Sequence, residues 1–349
     1  MISEWSDNQI FNSFNSAKFL TYGQHYEAIL AGKFLPPIEA SVDPVNECQL
    51  KCFWCNSKKV KDRKVIMTNE HLLDLVKFFK VWGVKAICFA GGGEPTLHTK
   101  LAEAFRTSEL PTAIITNGLF LDDEQMKVIA EKAEWIGISV DAASKEFYNQ
   151  YKGQNRFDEV INNIKKLRAY GAKEICFKFL INNLNQYQIF DACRVAKFSG
   201  AHRIHIRPVA FKCYQQEEEI LDIEKINRQI EDGRSSFEDD KFKVFVIVHK
   251  FDKDLHAKKN FKKCLATPIM PIFHANNDIS ICIDRKHEKK LVIGKHDPID
   301  NILKVWGSDE HKMVIDSVQI EECPKCTISP GNEIIENVFI KDSMCRFFT

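Results

Sequence analysis

Three cysteines stand within eight residues of the sequence, in the stretch CQLKCFWC. Cys48, Cys52 and Cys55 have the spacing C-x3-C-x2-C. Thiolates are soft ligands that select zinc, copper(I) or iron–sulfur clusters. A structural zinc site uses four protein ligands in a closed tetrahedron. Three cysteines on one loop can instead hold three irons of a [4Fe–4S] cluster, which leaves the fourth iron open to another molecule.

A second group of cysteines lies further along the chain. Cys264 and Cys282 are followed by the C-x2-C pair Cys323 and Cys326. Four thiolates can close a site completely, either as an all-cysteine zinc site or as a fully ligated [4Fe–4S] cluster. The residues alone leave both possibilities open. The stretch NNDISIC predicts a turn and a strand that delivers Cys282.

The composition places these groups in a reducing compartment. The chain has 349 residues, 44% of them hydrophobic, with 49 Lys and Arg against 48 Asp and Glu. The charge balance gives no argument for nucleic acid or an anionic membrane as a partner. With no secretory signal and no long apolar run, we expect a soluble cytoplasmic protein whose clustered cysteines bind metal. We expect Cys88, Cys176 and Cys193 to be buried, inert thiols.

Strand and helix patterns alternate from residue 38 to about 209. Short apolar or β-branched stretches predict six strands, and segments with apolar residues three and four apart predict the helices between them. Thr68 and Asp122 are expected to begin two of these helices. The predicted strands are 38–44, 85–91, 112–117, 135–141, 174–181 and 203–209.

Six β/α units in series predict a parallel sheet, either open or curved as a partial barrel. In both folds the functional residues lie at the carboxyl ends of the strands. Cys48 follows the first predicted strand, GGGEP the second, TNG the third and SVDAAS the fourth. The unusual residues therefore fall where this rule expects chemistry.

The rest of the sequence divides into three parts. Residues 1–37 include a predicted helix at 17–32 that packs on the barrel. Residues 213–262 are read as a bridge with a charged helix and a strand at 242–249. Residues 263–349 carry the second cysteine group. We therefore expect an N-terminal extension, an α/β barrel at 38–212, the bridge and a small C-terminal cysteine-binding domain.

The first cysteine motif, with Trp54 just before its last cysteine, resembles the signature of radical S-adenosylmethionine (SAM) enzymes. The resemblance implies a partial (β/α)6 TIM-type barrel. It also implies that the open iron of a [4Fe–4S] cluster binds SAM, that reductive cleavage yields a 5′-deoxyadenosyl radical, and that this radical abstracts a substrate hydrogen atom. A flavodoxin or ferredoxin would donate the electron.

The same resemblance assigns SAM-binding residues in the motifs after the strands. AGGGEPTLH is similar to the family's GGEP segment, so Gly92, Gly93, Glu94 and Pro95 are expected to cradle the methionine ammonium. Further SAM-binding candidates lie at later strand ends: Asn117, Ser139, Asp141, Asn182 and Arg207. For Asn182 and Arg207 a helix cap or a surface ion pair is an equal alternative.

The second cysteine group resembles the twitch or SPASM extension of many such enzymes. That resemblance implies that Cys264, Cys282, Cys323 and Cys326 hold one auxiliary [4Fe–4S] cluster. A full SPASM extension has more cysteines, so the shorter twitch form fits better. Cys345 and Cys213 remain as a catalytic hydrogen donor, a ligand or an inert thiol.

The resemblance implies oxidation or rearrangement of a small polar or sugar-like metabolite. The alternative is a maturase that modifies a ribosomally made peptide or protein. A third reading, from another class, is a zinc-stabilised α/β binding protein without radical chemistry.

Overall fold

The structure is a computed structural model that describes residues 16–59, 62–209, 221–246, 259–323 and 326–341. Its strands are β1 Glu39–Asp43, β2 Ala86–Phe89, β3 Thr112–Thr116, β4 Ala133–Ser139, β5 Ile175–Ile181, β6 Arg203–Pro208, β7 Lys243–Val246, β8 Ile272–His274, β9 Asp278–Ser280 and β10 Val292–Lys295. Its α-helices are α1 Gly23–Leu30, α2 Asn69–Trp82, α3 Leu101–Thr107, α4 Asp123–Lys132, α5 Lys145–Lys152, α6 Phe157–Ala169, α7 Ile189–Ser199, α8 Ile223–Phe237, α9 Asn301–Val305, α10 Asp309–Asp316 and α11 Ser329–Ile334.

All ten strands belong to one sheet, in the order β10-β9-β8-β1-β2-β3-β4-β5-β6-β7. Strands β1 to β7 are parallel to their neighbours, and β8 is parallel to β1. Strands β9 and β10 are antiparallel additions. The six predicted strands are confirmed within two residues at each end. Mixed α/β order with successive parallel strands is the architecture of the predicted partial TIM-type barrel.

The helix boundaries follow the expected capping chemistry. The Thr68 side chain accepts a hydrogen bond from the His71 amide at the start of α2, and Asp122 accepts one from the Gln125 amide at the start of α4. Gly83 ends α2 at φ 103°, a left-handed conformation that favours glycine. These local signals are the reason that the helices were predictable from sequence.

The segment with the second cysteine group continues the central sheet. Strand β8 pairs with β1. The Phe273 ring packs 4.7 Å from the Phe79 ring of α2. Ile279 and Ile302 belong to the same hydrophobic core as the first six strands. Sheet and core thus run across the predicted boundary at residue 262, because the edge of β1 offers β8 unpaired backbone groups.

The N-terminal helical segment differs from its prediction. Residues Ser16–Thr21 form a 3-10 helix and only Gly23–Leu30 are α-helical. Tyr26 and Ile29 pack in a separate apolar cluster with residues from 261–335, rather than in the core of the barrel. The segment therefore covers the second cysteine region.

The two faces of the sheet differ in polarity. Side chains that alternate toward the helices are apolar, such as Ile204 and Ile206 of β6. The opposite face of the sheet carries polar and charged side chains, among them Asp43, Lys178, His205 and Arg207. A sheet face that carries buried charged side chains is suited to binding polar ligands. Within the described ranges, no helix is long and apolar enough to cross a membrane.

Candidate active site

The first cysteine loop leaves the carboxyl end of β1 and is fixed by the end of α5. The Lys51 amide donates to the Lys152 carbonyl (3.1 Å) and the Phe53 amide donates to the Tyr151 carbonyl (2.8 Å). Gln154 Nε2 donates to the Gln49 carbonyl at 2.5 Å. These bonds hold the loop that presents the three predicted ligands; all three are partly buried free thiols: Cys48, Cys52 and Cys55.

The glycine-rich turn after β2 packs directly on the start of this loop. A Cβ atom on Gly93 would lie 1.9 Å from the Glu47 carbonyl oxygen, and one on Gly92 would lie 2.3 Å from Asn46 Oδ1. The Glu94 amide donates to the Glu47 carbonyl at 2.8 Å. Only glycine permits this approach, so the turn and the cysteine loop form one unit.

Glu94 joins that unit to the end of β3. Its Oε1 accepts hydrogen bonds from the Thr116 hydroxyl (2.6 Å), the Thr96 hydroxyl (2.9 Å) and the Thr96 amide (3.1 Å). Its Oε2 accepts one from the Asn117 amide at 2.7 Å. Burial raises the pKa of Glu94, and these donors oppose the rise. The carboxylate therefore stabilises the turn, and Pro95 opens the short 3-10 helix that follows it.

Asn117 of the TNG motif after β3 lies next to the first cysteine loop. Its side-chain amide lies 3.8 Å from Cys48 Sγ and 3.2 Å from Gln49 Oε1. Burial raises the pKa of Cys48 to about 11 and also raises the pKa of Cys52. A bound metal has the opposite effect, since thiolates are the ligating form. N–H donors aimed at sulfur suit a ligated thiolate.

Trp54, just before the last cysteine of the first loop, is a buried packing residue. Only 3% of it is exposed, and it packs with Tyr151 and Val209 in a small apolar cluster. It thus contributes to the packing of the loop.

Asp141 forms a buried ion pair that the sequence did not reveal. Its Oδ2 accepts from Lys152 Nζ at 2.5 Å, and both side chains are 3% exposed. Its Oδ1 accepts from the Leu180 amide at 2.8 Å. Asp141 has φ 59°. Burial opposes the charge on Lys152, but Asp141 and the Cys52 thiol raise its pKa overall. Ser139 ends β4 opposite Lys178.

Asn182 and Arg207 lie at the ends of β5 and β6, as expected. Asn182 Oδ1 accepts from the Leu184 amide at 2.8 Å and so closes a turn, while the residue that precedes α7 as its N-cap is Gln188. The Nδ2 of Asn182 is buried without a partner. Arg207 takes part in no hydrogen bond or ion pair with the residues that the structure describes, and its Nε is buried.

Three thiols of the second cysteine group are affected by the charges of other cysteines in the group. Besides burial, which is the largest cause, Cys323 raises the pKa of Cys264, Cys264 raises that of Cys282, and Cys264 and Cys282 raise that of Cys326. Burial raises the pKa of all three thiols at 264, 282 and 326, that of Cys264 to about 12.

Two side chains donate toward sulfurs of this second group. Asn332 Nδ2 lies 3.9 Å from Cys264 Sγ, and Arg285 Nη1 lies 3.4 Å from Cys323 Sγ. A second unpredicted lysine, Lys286, extends from the same region to Asp43. Neither Lys152 nor Lys286 has a sequence signal, because each meets a residue that only the fold brings near.

The ligand assignments for both cysteine groups stay predictions. Among the residues described, no three His, Cys, Asp or Glu side chains are placed to hold one metal ion. Cys213 and Cys345 lie outside the described residues, so their roles stay open. Cys88, Cys176 and Cys193 are buried, as predicted.

A family model and several relatives match the sequence. The model of the radical SAM superfamily matches residues 42–187. A probable GTP 3',8-cyclase of Saccharolobus islandicus (strain M.14.25 / Kamchatka #1) is 29% identical over 193 residues, which cover 52% of this chain and 62% of that protein. A probable GTP 3',8-cyclase of Pyrococcus horikoshii is 28% identical over 166 residues, 46% of this chain and 53% of that protein. The chain thus spans about three fifths of the length of the first of these curated relatives.

Solved structures share the fold over most of the chain. Streptococcus suis SuiB bound to precursor peptide SuiA has a TM-score of 0.65 at 17% identity, covering 90% of this chain and 75% of that one. The protein anSMEcpe with bound AdoMet has a TM-score of 0.61 at 18% identity, covering 85% and 88%. At these identities the likeness establishes the fold.

Proposed function

We propose that the protein is a radical SAM enzyme that acts on a small polar metabolite, and the match of its residues 42–187 to the radical SAM superfamily model supports this. The observation that carries the proposal is the position of Asn117, which joins three motifs. Its backbone amide binds Glu94 of the glycine turn at 2.7 Å, and its side chain lies 3.8 Å from Cys48 Sγ. The three motifs therefore form a single site at the carboxyl ends of β1, β2 and β3.

The residues present fit a [4Fe–4S] cluster and SAM. The three thiols are free and share one anchored loop, and the amide of Asn117 is placed to donate to sulfur. Because Gly92 and Gly93 have no side chains, the backbone of the glycine turn packs directly on the start of the cysteine loop. When bound, the cluster and SAM supply the radical that removes a hydrogen atom. The protein's part is to hold the thiolates, orient the cofactor and keep water out.

Each cysteine and each motif residue has a proposed task. Cys48, Cys52 and Cys55 hold the cluster. Gly92 and Gly93 let the glycine turn pack on the cysteine loop, and Glu94 fixes that turn, which would bind the methionine part of SAM through its backbone groups. Ser139 and Asp141, at the end of β4, would hydrogen-bond the ribose or carboxylate of SAM. Lys152 neutralises Asp141 and, through its backbone, fixes the cysteine loop.

We propose an auxiliary [4Fe–4S] cluster at the second cysteine group. The closeness of these cysteines supports it, since charges within the group act on the pKa values of Cys264, Cys282 and Cys326. So does the Arg285 guanidinium, whose Nη1 donates toward Cys323 Sγ at 3.4 Å, because hydrogen bonds to ligating sulfurs are a common feature of iron–sulfur sites. Such a cluster would accept an electron from a substrate radical or bind a substrate group. A flavodoxin- or ferredoxin-type donor would reduce the first cluster.

The choice of a small substrate is supported by the sequence relatives, which are named as probable cyclases of the nucleotide GTP. A ribosomally made peptide is the second candidate. It is favoured by the fold match to SuiB, whose structure holds the precursor peptide SuiA and which covers 90% of this chain.

The test is anaerobic purification followed by assay of SAM cleavage. We expect about eight irons per chain and release of 5′-deoxyadenosine after addition of SAM and dithionite. Substrate-dependent increase of that release, measured with GTP and other nucleotides and sugars against a panel of peptides, separates the two substrate classes. A colourless protein with one or two zinc ions and no SAM cleavage would instead establish the zinc-stabilised binding protein.

A further inference from the structure

The ammonium group of Lys286 makes two close contacts at the start of the glycine turn. Its Nζ lies 2.6 Å from Asp43 Oδ2 and 2.6 Å from the Gly91 carbonyl oxygen. The Lys286 side chain is only 7% exposed. A buried ammonium group needs acceptors for its donors, and here one of the acceptors is a backbone carbonyl of the turn. Lys286 therefore holds the Gly91 carbonyl in place as well as neutralising Asp43.

The glycine turn needs such contacts to keep one conformation. A Cβ atom on Gly91 would lie 2.0 Å from the Gly93 carbonyl oxygen, so the first and third glycines are in close contact. The Gly93 amide donates to the Val45 carbonyl at 2.8 Å, which fixes the far end of the turn. Glycine has the widest choice of backbone conformations, so the near end depends on the contact that Lys286 makes.

The segment that carries Lys286 is itself anchored in the second cysteine region. The neighbouring Arg285 side chain is 6% exposed and donates to both carboxylate oxygens of Glu288, at 2.7 and 2.6 Å. Arg285 Nη1 also lies 3.4 Å from Cys323 Sγ. The Glu288 amide donates to the Arg285 carbonyl at 3.0 Å, which closes the chain into a turn around Lys286. The ammonium group is therefore presented to the glycine turn by a well-fixed backbone.

We propose that Lys286 is a positioning residue for SAM: by holding the Gly91 carbonyl it fixes the backbone groups of the glycine turn that bind the methionine part. This rests on the proposed function, since it concerns the same SAM site. Backbone groups that are already fixed bind a ligand more tightly, because less conformational entropy is lost on binding. The second cysteine region thus completes the SAM site with a side chain of its own.

The test compares Asp43→Asn with the double variant Asp43→Asn/Lys286→Met, which differ only at residue 286. SAM is titrated into the full-length, anaerobically reconstituted proteins by calorimetry without a reductant, so that no turnover occurs. Asp43→Asn should bind SAM within about threefold of the parent, because Lys286 keeps the Gly91 carbonyl. The double variant should bind SAM about fivefold or more weakly than Asp43→Asn, because the hydrogen bond to the turn is lost. Lys77→Met, at an exposed lysine of α2 paired with Asp74, should bind as the parent does.

Stability should follow the opposite order, which separates positioning from a merely structural role. Asp43→Asn leaves the buried Lys286 ammonium without its carboxylate, so urea unfolding should show it to be less stable than the double variant. Hydrogen exchange gives a readout that needs no cofactor. Peptide 90–97 should exchange faster in the double variant than in Asp43→Asn, because the turn opens more readily.

Equal SAM affinity of the two variants would overturn the proposal. Tighter binding by the double variant would overturn it too, since Lys286 would then compete with SAM for the turn. Should Asp43→Asn not fold, the double variant is compared with the parent, and the same fivefold loss is expected because both charges are removed together. If the parent holds the first cluster but does not bind SAM, the proposed function fails as well. If the parent binds SAM and the variants do not differ, only the role of Lys286 fails.

Discussion

The Lys286 ammonium lies 2.6 Å from Asp43 Oδ2 and also 2.6 Å from the Gly91 carbonyl oxygen. Asp43 ends β1, just before the first cysteine loop, and Gly91 begins the glycine turn. Lys286 follows Cys282 of the second cysteine group. Lys286 and Asp43 are 7% and 1% exposed at their side chains. One buried ion pair thus connects the region of the proposed auxiliary cluster to the proposed SAM site.

Replacing Lys286 should destabilise the protein strongly. Among the side chains that the structure describes, Lys286→Met leaves the buried Asp43 carboxylate with His274 Nδ1, 3.5 Å away, as its remaining side-chain partner. Breaking a buried pair by removing one partner costs about 3–5 kcal/mol. Urea unfolding at pH 7 should show this loss, and the added change Asp43→Asn should restore a large part of it. A double variant no more stable than Lys286→Met would contradict the pairing.

The same pair predicts a dependence of stability on pH. Burial alone would raise the pKa of Asp43, but Lys286 and His274 lower it well below its usual range. A carboxyl group with a lowered pKa in the folded state contributes stability above its unfolded pKa, which is about 4. That contribution is lost as the pH falls below about 4. Chemical unfolding of the parent and Asp43→Asn between pH 3 and 6 should show their difference shrinking toward acid.

Removing a predicted ligand should be distinguishable from removing a buried thiol. Cys48→Ala should lose the iron of the first cluster and all SAM cleavage, because three thiolates are the fewest that hold a cubane with one open iron. Cys193→Ala removes a buried thiol in α7 and should keep both. Iron analysis and 5′-deoxyadenosine release check the pair. Cofactor cleavage by Cys48→Ala would remove Cys48 from the ligand set.

Glu94→Gln should weaken the joint between the glycine turn and β3. The carboxylate accepts from four donors, and the amide nitrogen of Gln cannot accept. A buried donor such as the Asn117 amide is then left unpaired, at a cost of about 1–3 kcal/mol. The affinity for SAM should fall with the stability. Glu103→Gln is the control, because Glu103 of α3 forms a half-exposed ion pair with Lys100. This change should alter stability by less than about 1 kcal/mol. Equal effects of the two changes would refute a special role for Glu94.

The parts of the fold that local sequence determines were predictable. The first strands are apolar stretches between Gly, Asn or Asp residues, and caps such as Thr68 and Asp122 mark where helices begin. The positions of the cysteines and of GGGEP after β1 and β2 follow from the strand pattern alone. The carboxyl ends of parallel strands meet at one edge, so the sequence also predicted that these motifs come together.

The parts that depend on distant contacts were not predictable. Strand β8 has three residues, too few for a period, and it joins the sheet only because β1 presents a free edge. Lys286 is separated from Asp43 by 243 residues. Lys152 resembles any other lysine in a charged helix until Asp141 is placed beside it. The ion pair of Lys286 with Asp43 leaves no periodic or local trace in the sequence, and it connects the second cysteine region to the barrel.

Two buried histidines should make the protein sensitive to mild acid. Burial lowers the pKa of His296 to about 3 and that of His311 to about 4. His296 Nε2 donates to the His274 carbonyl (2.9 Å), so its Nδ1 must accept from His71 Nε2 (2.6 Å). His311 Nδ1 accepts from the Gly307 amide at 3.1 Å. A proton on either acceptor nitrogen would break the bond that it makes.

The lowered pKa values of these histidines mean that the free energy of unfolding decreases as the pH falls. Below about pH 6.5 the unfolded chain binds a proton at each histidine, while the folded protein does not. Each buried histidine therefore removes about 1.4 kcal/mol of stability per pH unit as the pH falls from 6.5 toward its folded value. Unfolding free energies measured at pH 7.5, 6 and 5 should fall less steeply in His311→Gln than in the parent, since glutamine has no proton to gain. An unchanged slope in that variant would mean that His311 already carries its proton in the folded protein.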